Sequence, residues 1–169
     1  MMKPREMVMS ALLTALALLI PLAFRGWLQV YTPPFSATIA SHVPSMLAMF
    51  MGPLPAALVG LGSTLGFAIT LGPVIAARAF IHVIWGVGGA YLYRAGLRPW
   101  AVIAAIIPIH ALGEALVVLP FGFSLYQAFV VVGIGTALHH AADGAIALSL
   151  LGALSRAGMR FWTPRVAKL

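Results

Sequence analysis

Cysteine is absent from the 169-residue sequence, which excludes disulfides, thiolate metal centres and cysteine nucleophiles. Charge is scarce as well. Only 8% of residues are charged, against about 25% in a soluble domain. There is no phosphate-binding loop of the form GxxxxGK(S/T), so the chain cannot hydrolyse ATP by itself. No HExxH, GxSxG or paired-carboxylate motif marks an enzyme. Basic residues outnumber acidic ones by ten to three. They flank apolar runs, as they do on the cytoplasmic side of a membrane protein, and so give no reason to infer nucleic-acid binding.

What fills the chain is hydrocarbon. With 62% hydrophobic residues and a mean hydropathy of +1.05, it reads as an integral membrane protein. Its runs suit helices of about 20 residues and not the short alternating strands of an outer-membrane barrel. A short basic leader, residues 1–6, precedes an apolar run from Met7 to Phe24, expected to be an uncleaved first helix. Residues 25–36 form a loop carrying Trp27, Tyr31 and the Pro33-Pro34 pair. A second span is expected from Phe35 to Met51, kinked at Pro44. Gly52-Pro53 and Gly72-Pro73 are breakers about one membrane thickness apart and bound a third helix, in which Gly62 and Gly66 offer a small-xxx-small packing face. The fourth span continues to Tyr93, the fifth covers Trp100 to Leu119 and the sixth Leu125 to Leu151, followed by a basic tail, 155–169.

The expected fold is therefore an all-α, single-domain bundle of six transmembrane helices. Six crossings place both termini on one side. Eight of the ten basic residues (Lys3, Arg5, Arg94, Arg98, Arg156, Arg160, Arg165 and Lys168) then fall on that side, which the positive-inside rule makes cytoplasmic. The 25–36 loop, the Gly72-Pro73 turn and the 120–124 loop face outward.

The chemistry sits inside the apolar runs. Thr38 and His42, Arg78 and His82, His110 and Glu114, and His139 and Asp143 are four pairs spaced i,i+4, each on its own segment. Each pair presents one polar face. A charge at mid-helix costs roughly 2.5–3.5 kcal/mol on insertion scales, so these faces must turn toward one another. Their convergence implies a polar cavity in the outer half, shielded by the Trp27–Tyr31 loop and suited to a small polar or anionic ligand. Three other readings stand beside this one: a structural ion pair between Arg78 and Glu114 or Asp143, a zinc, nickel or cobalt site, and a proton relay. The carriers matching the last two are ion-coupled or metal-ion carriers acting without an ATPase.

Ala11-Leu12-Leu13-Thr14-Ala15 is an AxxxA motif just after the basic N-terminus, and an aromatic, proline-containing loop follows the first helix. On these features the whole chain resembles the substrate-binding S-component of energy-coupling factor (ECF) transporters. Phe35-Ser36-Ala37-Thr38, Ala40-Ser41-His42-Val43-Pro44, Ala76-Ala77-Arg78 and His139-His140-Ala141-Ala142-Asp143-Gly144 are most similar to the niacin-type members. The resemblance implies a cell-membrane subunit that captures a vitamin-like molecule, with nicotinate first among ligands and another small micronutrient second. It also implies a transmembrane coupling protein packed on Ala11 and Ala15, two partner ATPases that use the ATP, and no cofactor or metal in this chain. Arg78 would then neutralise a carboxylate, the histidines would address a ring nitrogen, and Trp27 or Trp85 would stack on an aromatic ring.

Overall fold

The computed structural model describes residues 3–24, 26–32 and 35–159. Arg25, the Pro33-Pro34 pair, Arg160, Arg165 and Lys168, on which part of the reading above rests, lie outside the described residues. Helix α1 runs Pro4–Ala23. Pro4 occupies its first turn, where a missing amide costs nothing, and the Glu6 carboxylate accepts the Lys3 N–H at 2.8 Å. Strands β1 (Gln29–Thr32) and β2 (Phe35–Thr38) pair antiparallel, with Gln29 opposite Thr38 and Thr32 opposite Phe35. They are followed by α2 (Val43–Met51), α3 (Pro53–Thr70), α4 (Pro73–Arg94) and α5 (Pro99–Val118). A π-helical stretch, Tyr126–Ile134, then passes directly into α6 (Gly135–Arg156).

Among the described residues, five helical segments are long and apolar enough to cross a membrane: α1, α3, α4, α5 with its 3-10 extension, and 126–156. Leu65, Ile69, Leu112 and Leu138 project from them with more than half of their surface exposed, as lipid-facing side chains do. The protein is thus a multi-pass, mainly helical membrane protein. The second expected span differs from the sequence reading. Residues 35–38 are a strand, Ala40 adopts a left-handed φ of 68°, and α2 has only nine residues. At about 1.5 Å rise per residue, α2 covers less than half of the roughly 30 Å hydrocarbon core. Pro44 lies in its first turn and starts the helix where a kink was expected. The physical reason is tertiary. Ala40 and His42 give their backbone N–H groups to a carboxylate on α6, which holds the chain unwound before α2. Such backbone is tolerated at membrane depth because protein surrounds it; every α2 residue from Val43 to Phe50 is buried, packed among α1, α3, α4 and α6.

Both glycine-proline breakers act as expected. Gly52 (φ 138°) and Gly72 (φ 87°) take backbone conformations that side chains rarely adopt, and Pro53 and Pro73 open the next helices. The Gly62 and Gly66 face also packs closely. A Cβ at Gly62 would run into Thr14, and one at Gly66 into Leu18, both on α1. On its other side α3 meets α4 at Gly60, where an added Cβ would lie 2.9 Å from the Val83 backbone nitrogen. Backbone cannot swing aside. Gly60→Ala should therefore destabilise the protein by about 1–3 kcal/mol through overpacking, whereas Gly88→Ala, with nothing within 4 Å of its Cβ, should be neutral or better. Thermal unfolding of the two detergent-purified variants checks this; equal melting temperatures would contradict the close α3–α4 contact.

Candidate functional site

Four segments carry polar side chains inward, and two carboxylates tie them together. Glu114 on α5 is the first hub. Its Oε2 accepts bonds from Arg78 Nε (2.9 Å), Arg78 Nη2 (2.7 Å) and Thr136 Oγ1 (2.6 Å). Its Oε1 faces His110 Nε2 at 3.2 Å and His82 Nε2 at 3.8 Å. Asp143 on α6 is the second. It accepts the N–H groups of Ala40 (2.7 Å) and His42 (2.9 Å), and His139 Nε2 lies 3.1 Å away. The same His139 nitrogen is 3.0 Å from the Thr38 carbonyl. Both neighbours are acceptors, so Nε2 carries the ring proton.

His42 joins the hubs. Its ring lies 4.3 Å from that of His139 and 4.7 Å from those of His82 and His110, and its Nδ1 is 3.4 Å from Asp143 Oδ2. All five histidines of the chain belong to this cluster, since His140 Nδ1 meets His110 Nδ1 at 2.8 Å. Trp85, fully buried, lies beneath it, with its ring 5.2 Å from His110 and 5.6 Å from His82.

Above the cluster is a cavity of about 230 Å³. That is smaller than the roughly 300–1,000 Å³ of pockets for drug-sized ligands and fits a small metabolite. Arg78, His82, His42, Thr38, Glu114 and His139 line it, and Tyr31 and Gln29 reach it from the hairpin. His110 and Asp143 are fully buried behind this lining, and Trp85 forms the layer below. Trp27 is 88% exposed and does not reach the cavity. Ala11 and Ala15 are exposed on α1, away from the buried face of Ser10, Leu13 and Ala17. Of the two carboxylates considered for Arg78, Glu114 is its partner. The guanidinium nonetheless retains capacity, because Nη1 has only a 3.5 Å contact with the Ser36 carbonyl.

Several participants were missed in the sequence. His140 and Thr136 brace the hubs, Ser45 and Ser41 line the wall, and Ala17 and Pro21 of α1 with Ser63 and Phe67 of α3 close a side that was expected to come mainly from the second, fourth, fifth and sixth spans. The signals for them were slight. Thr136 is one turn before His139 and His140, and Ser63 is a hydroxyl on an apolar helix. Among the cavity-lining side chains, His42 Nδ1, Ser45 Oγ and His82 Nε2 are buried and have no hydrogen-bond partner. Buried polar atoms are rarely left so. The cavity is therefore equipped to bind a polar guest.

A mainly helical, multi-pass membrane protein enclosing such a cavity fits the transporter class. Comparison with known proteins bears on which. Over 174 aligned residues, 92% of this chain and 77% of the relative, it is 35% identical to the niacin transporter NiaX of Lactococcus lactis subsp. cremoris. The chain belongs to this niacin-transporter family, in keeping with the resemblance of its motifs to the niacin-type members. No family model and no solved structure matches it.

The Glu114 hub yields a stability prediction. Removing one partner of a buried pair leaves an uncompensated charge and costs about 3–5 kcal/mol. Arg78→Met and Glu114→Gln should each lower the unfolding temperature sharply, and the double variant should lose clearly less than the two losses added together. Thermal unfolding in detergent measures this cycle; additive losses would contradict a coupled pair.

Proposed function

We propose that the protein captures nicotinate in this cavity for import, as a binding and transport subunit with no catalytic role. Family membership carries this reading, and the cavity's chemistry supports it. Arg78 offers a donor for a carboxylate, and the unpartnered Ser45 hydroxyl offers one for a pyridine nitrogen. In equilibrium binding to detergent-purified protein, nicotinate should bind tightly and nicotinamide, which lacks the negative charge, far more weakly. Arg78→Lys should weaken nicotinate by about 1.5–3 kcal/mol, because an ammonium cannot reproduce the planar fork. If nicotinamide binds as tightly as nicotinate, the cavity does not read a carboxylate.

In the arrangement we propose, residues 35–51 make the second of six crossings as strand, turn and short helix, and both termini are cytoplasmic. Lys3, Arg5, Arg94, Arg98 and Arg156 support that orientation. Single cysteines at Gly96 and Ser155 should be protected from an impermeant thiol reagent added to intact cells, while one at Thr32 should be labelled. Outside labelling at Gly96 would reverse the orientation.

The uptake we propose is energised by an ECF module, a transmembrane coupling protein with two ATPases, that docks on α1. That helix is the least buried of the five long ones. Around Ala11 and Ala15 it exposes Val8, Leu12, Leu16 and Leu19, a surface where small residues let another helix approach closely. Ala11→Trp/Ala15→Trp should retain nicotinate binding but lose copurification with the module and lose uptake in cells. Normal uptake would mean that this strip faces lipid.

A further inference from the structure

We infer that His42, His82, His110 and Glu114 hold a single divalent transition-metal ion at the floor of the cavity. One donor atom from each of the four residues lies within 4.8 Å of the other three, and all four residues are buried. The three imidazoles stand nearly perpendicular to one another, with interplanar angles of 87°, 79° and 87° and ring centroids 4.7, 4.7 and 5.3 Å apart. Glu114 Oε1 is 3.2 Å from His110 Nε2 and 3.8 Å from His82 Nε2. Donors bound tetrahedrally at about 2.1 Å from a metal stand about 3.4 Å apart, between those two values.

The surroundings leave these donors free to ligate. His82 Nε2 is buried without a hydrogen-bond partner, on a residue only 6% exposed. Arg78 and Thr136 both bond Glu114 Oε2, which orients the carboxylate and leaves Oε1 for the ion. The contact between His110 Nδ1 and His140 Nδ1 supplies the outer-shell bond typical of a metal-ligating histidine. In the metal-free protein His110 Nε2–H donates to Glu114 Oε1; with the ring in its other tautomer, Nδ1–H donates to His140 and the Nε2 lone pair is free for the ion. The neighbouring group of His42, His139 and Asp143 is less suitable: the Asp143 oxygens accept two backbone amides, and His139 Nε2 carries its proton toward Thr38.

Three imidazoles and one carboxylate suit zinc, cobalt or nickel and not calcium or magnesium. Arg78 and Glu114 cancel in charge and Asp143, 3.4 Å from His42 Nδ1, contributes one negative charge, so the ion leaves the cavity floor with a net single positive charge. An anionic guest offsets it, and by linkage the metal and the anion then strengthen each other. This last step rests on the nicotinate reading above; the metal site itself does not.

The test uses full-length protein purified without a polyhistidine tag and titrated with Co²⁺ or Zn²⁺ alone, with nicotinate binding measured separately. One ion should bind per chain. Cobalt should give the visible absorption of a four-coordinate, nitrogen-rich site, and zinc X-ray absorption should count three imidazoles. His82→Ala should weaken the ion by more than the ten- to hundredfold typical of losing an outer-shell partner, and chelation should weaken nicotinate. Because spectroscopy on the unaltered protein reads the ligand set directly, a variant that fails to fold leaves the inference testable. Nicotinate binding with no ion taken up would overturn the metal site and leave the function reading intact. Uptake of the ion with these signatures and no nicotinate binding would do the reverse. An ion with another ligand set, or one indifferent to His82→Ala, would also overturn the site.

Discussion

Two carboxylates in a membrane-embedded core are the constraint from which the rest of the arrangement follows. An isolated anion in hydrocarbon is too costly to keep, so Glu114 and Asp143 each recruit whatever donors the fold can bring. Glu114 gathers a guanidinium from α4, an imidazole from its own helix and a hydroxyl from α6. Asp143 gathers two backbone amides from the turn before α2 and an imidazole one turn away. Between them the hubs fasten α4, α5, α6 and the hairpin segment at one depth. The cavity opens where they meet.

The remaining helices close the bundle around that cavity. Small residues do this at the contacts: Gly62 and Gly66 admit Thr14 and Leu18, Gly60 lies against the Val83 backbone, and Gly89 makes room for Met49. Where lipid offers no hydrophobic drive for helix association, such close packing is a principal source of cohesion. α2 could not survive alone. Nine residues buried on all sides, it depends on its neighbours for their packing and on Asp143 for its approach, and in return it places His42 and Ser45 on the cavity wall.

Much of this was legible in the residues because membrane chemistry leaves few alternatives. The four i,i+4 polar pairs had to converge, and they do; the glycine-proline breakers had to turn the chain, and Gly52 and Gly72 do so with positive φ. What could not be read was long-range. Phe35 to His42 has the apolar texture of a helix, and only the carboxylate 101 residues away from His42 explains why it unwinds. The π-helical stretch 126–134 has no compositional mark, yet it sets the phase in which Thr136, His139, His140 and Asp143 enter α6. Trp27, an aromatic in a loop, read as part of a lid, whereas its side chain is exposed away from the cavity; Ser63 and Phe67, on a helix read only for packing, line the wall instead.

The claim at the centre of this account is that the two hubs build a binding site and do not merely satisfy one another. The most direct test is an experimental structure of the detergent-purified protein with bound nicotinate. The account predicts the ring seated above Trp85 among His42, His82 and Ser45, its carboxylate within reach of Arg78, and the Arg78–Glu114 contact preserved. A ligand bound elsewhere, with the cavity collapsed and Arg78 and the histidines engaged only with Glu114 and Asp143, would contradict it.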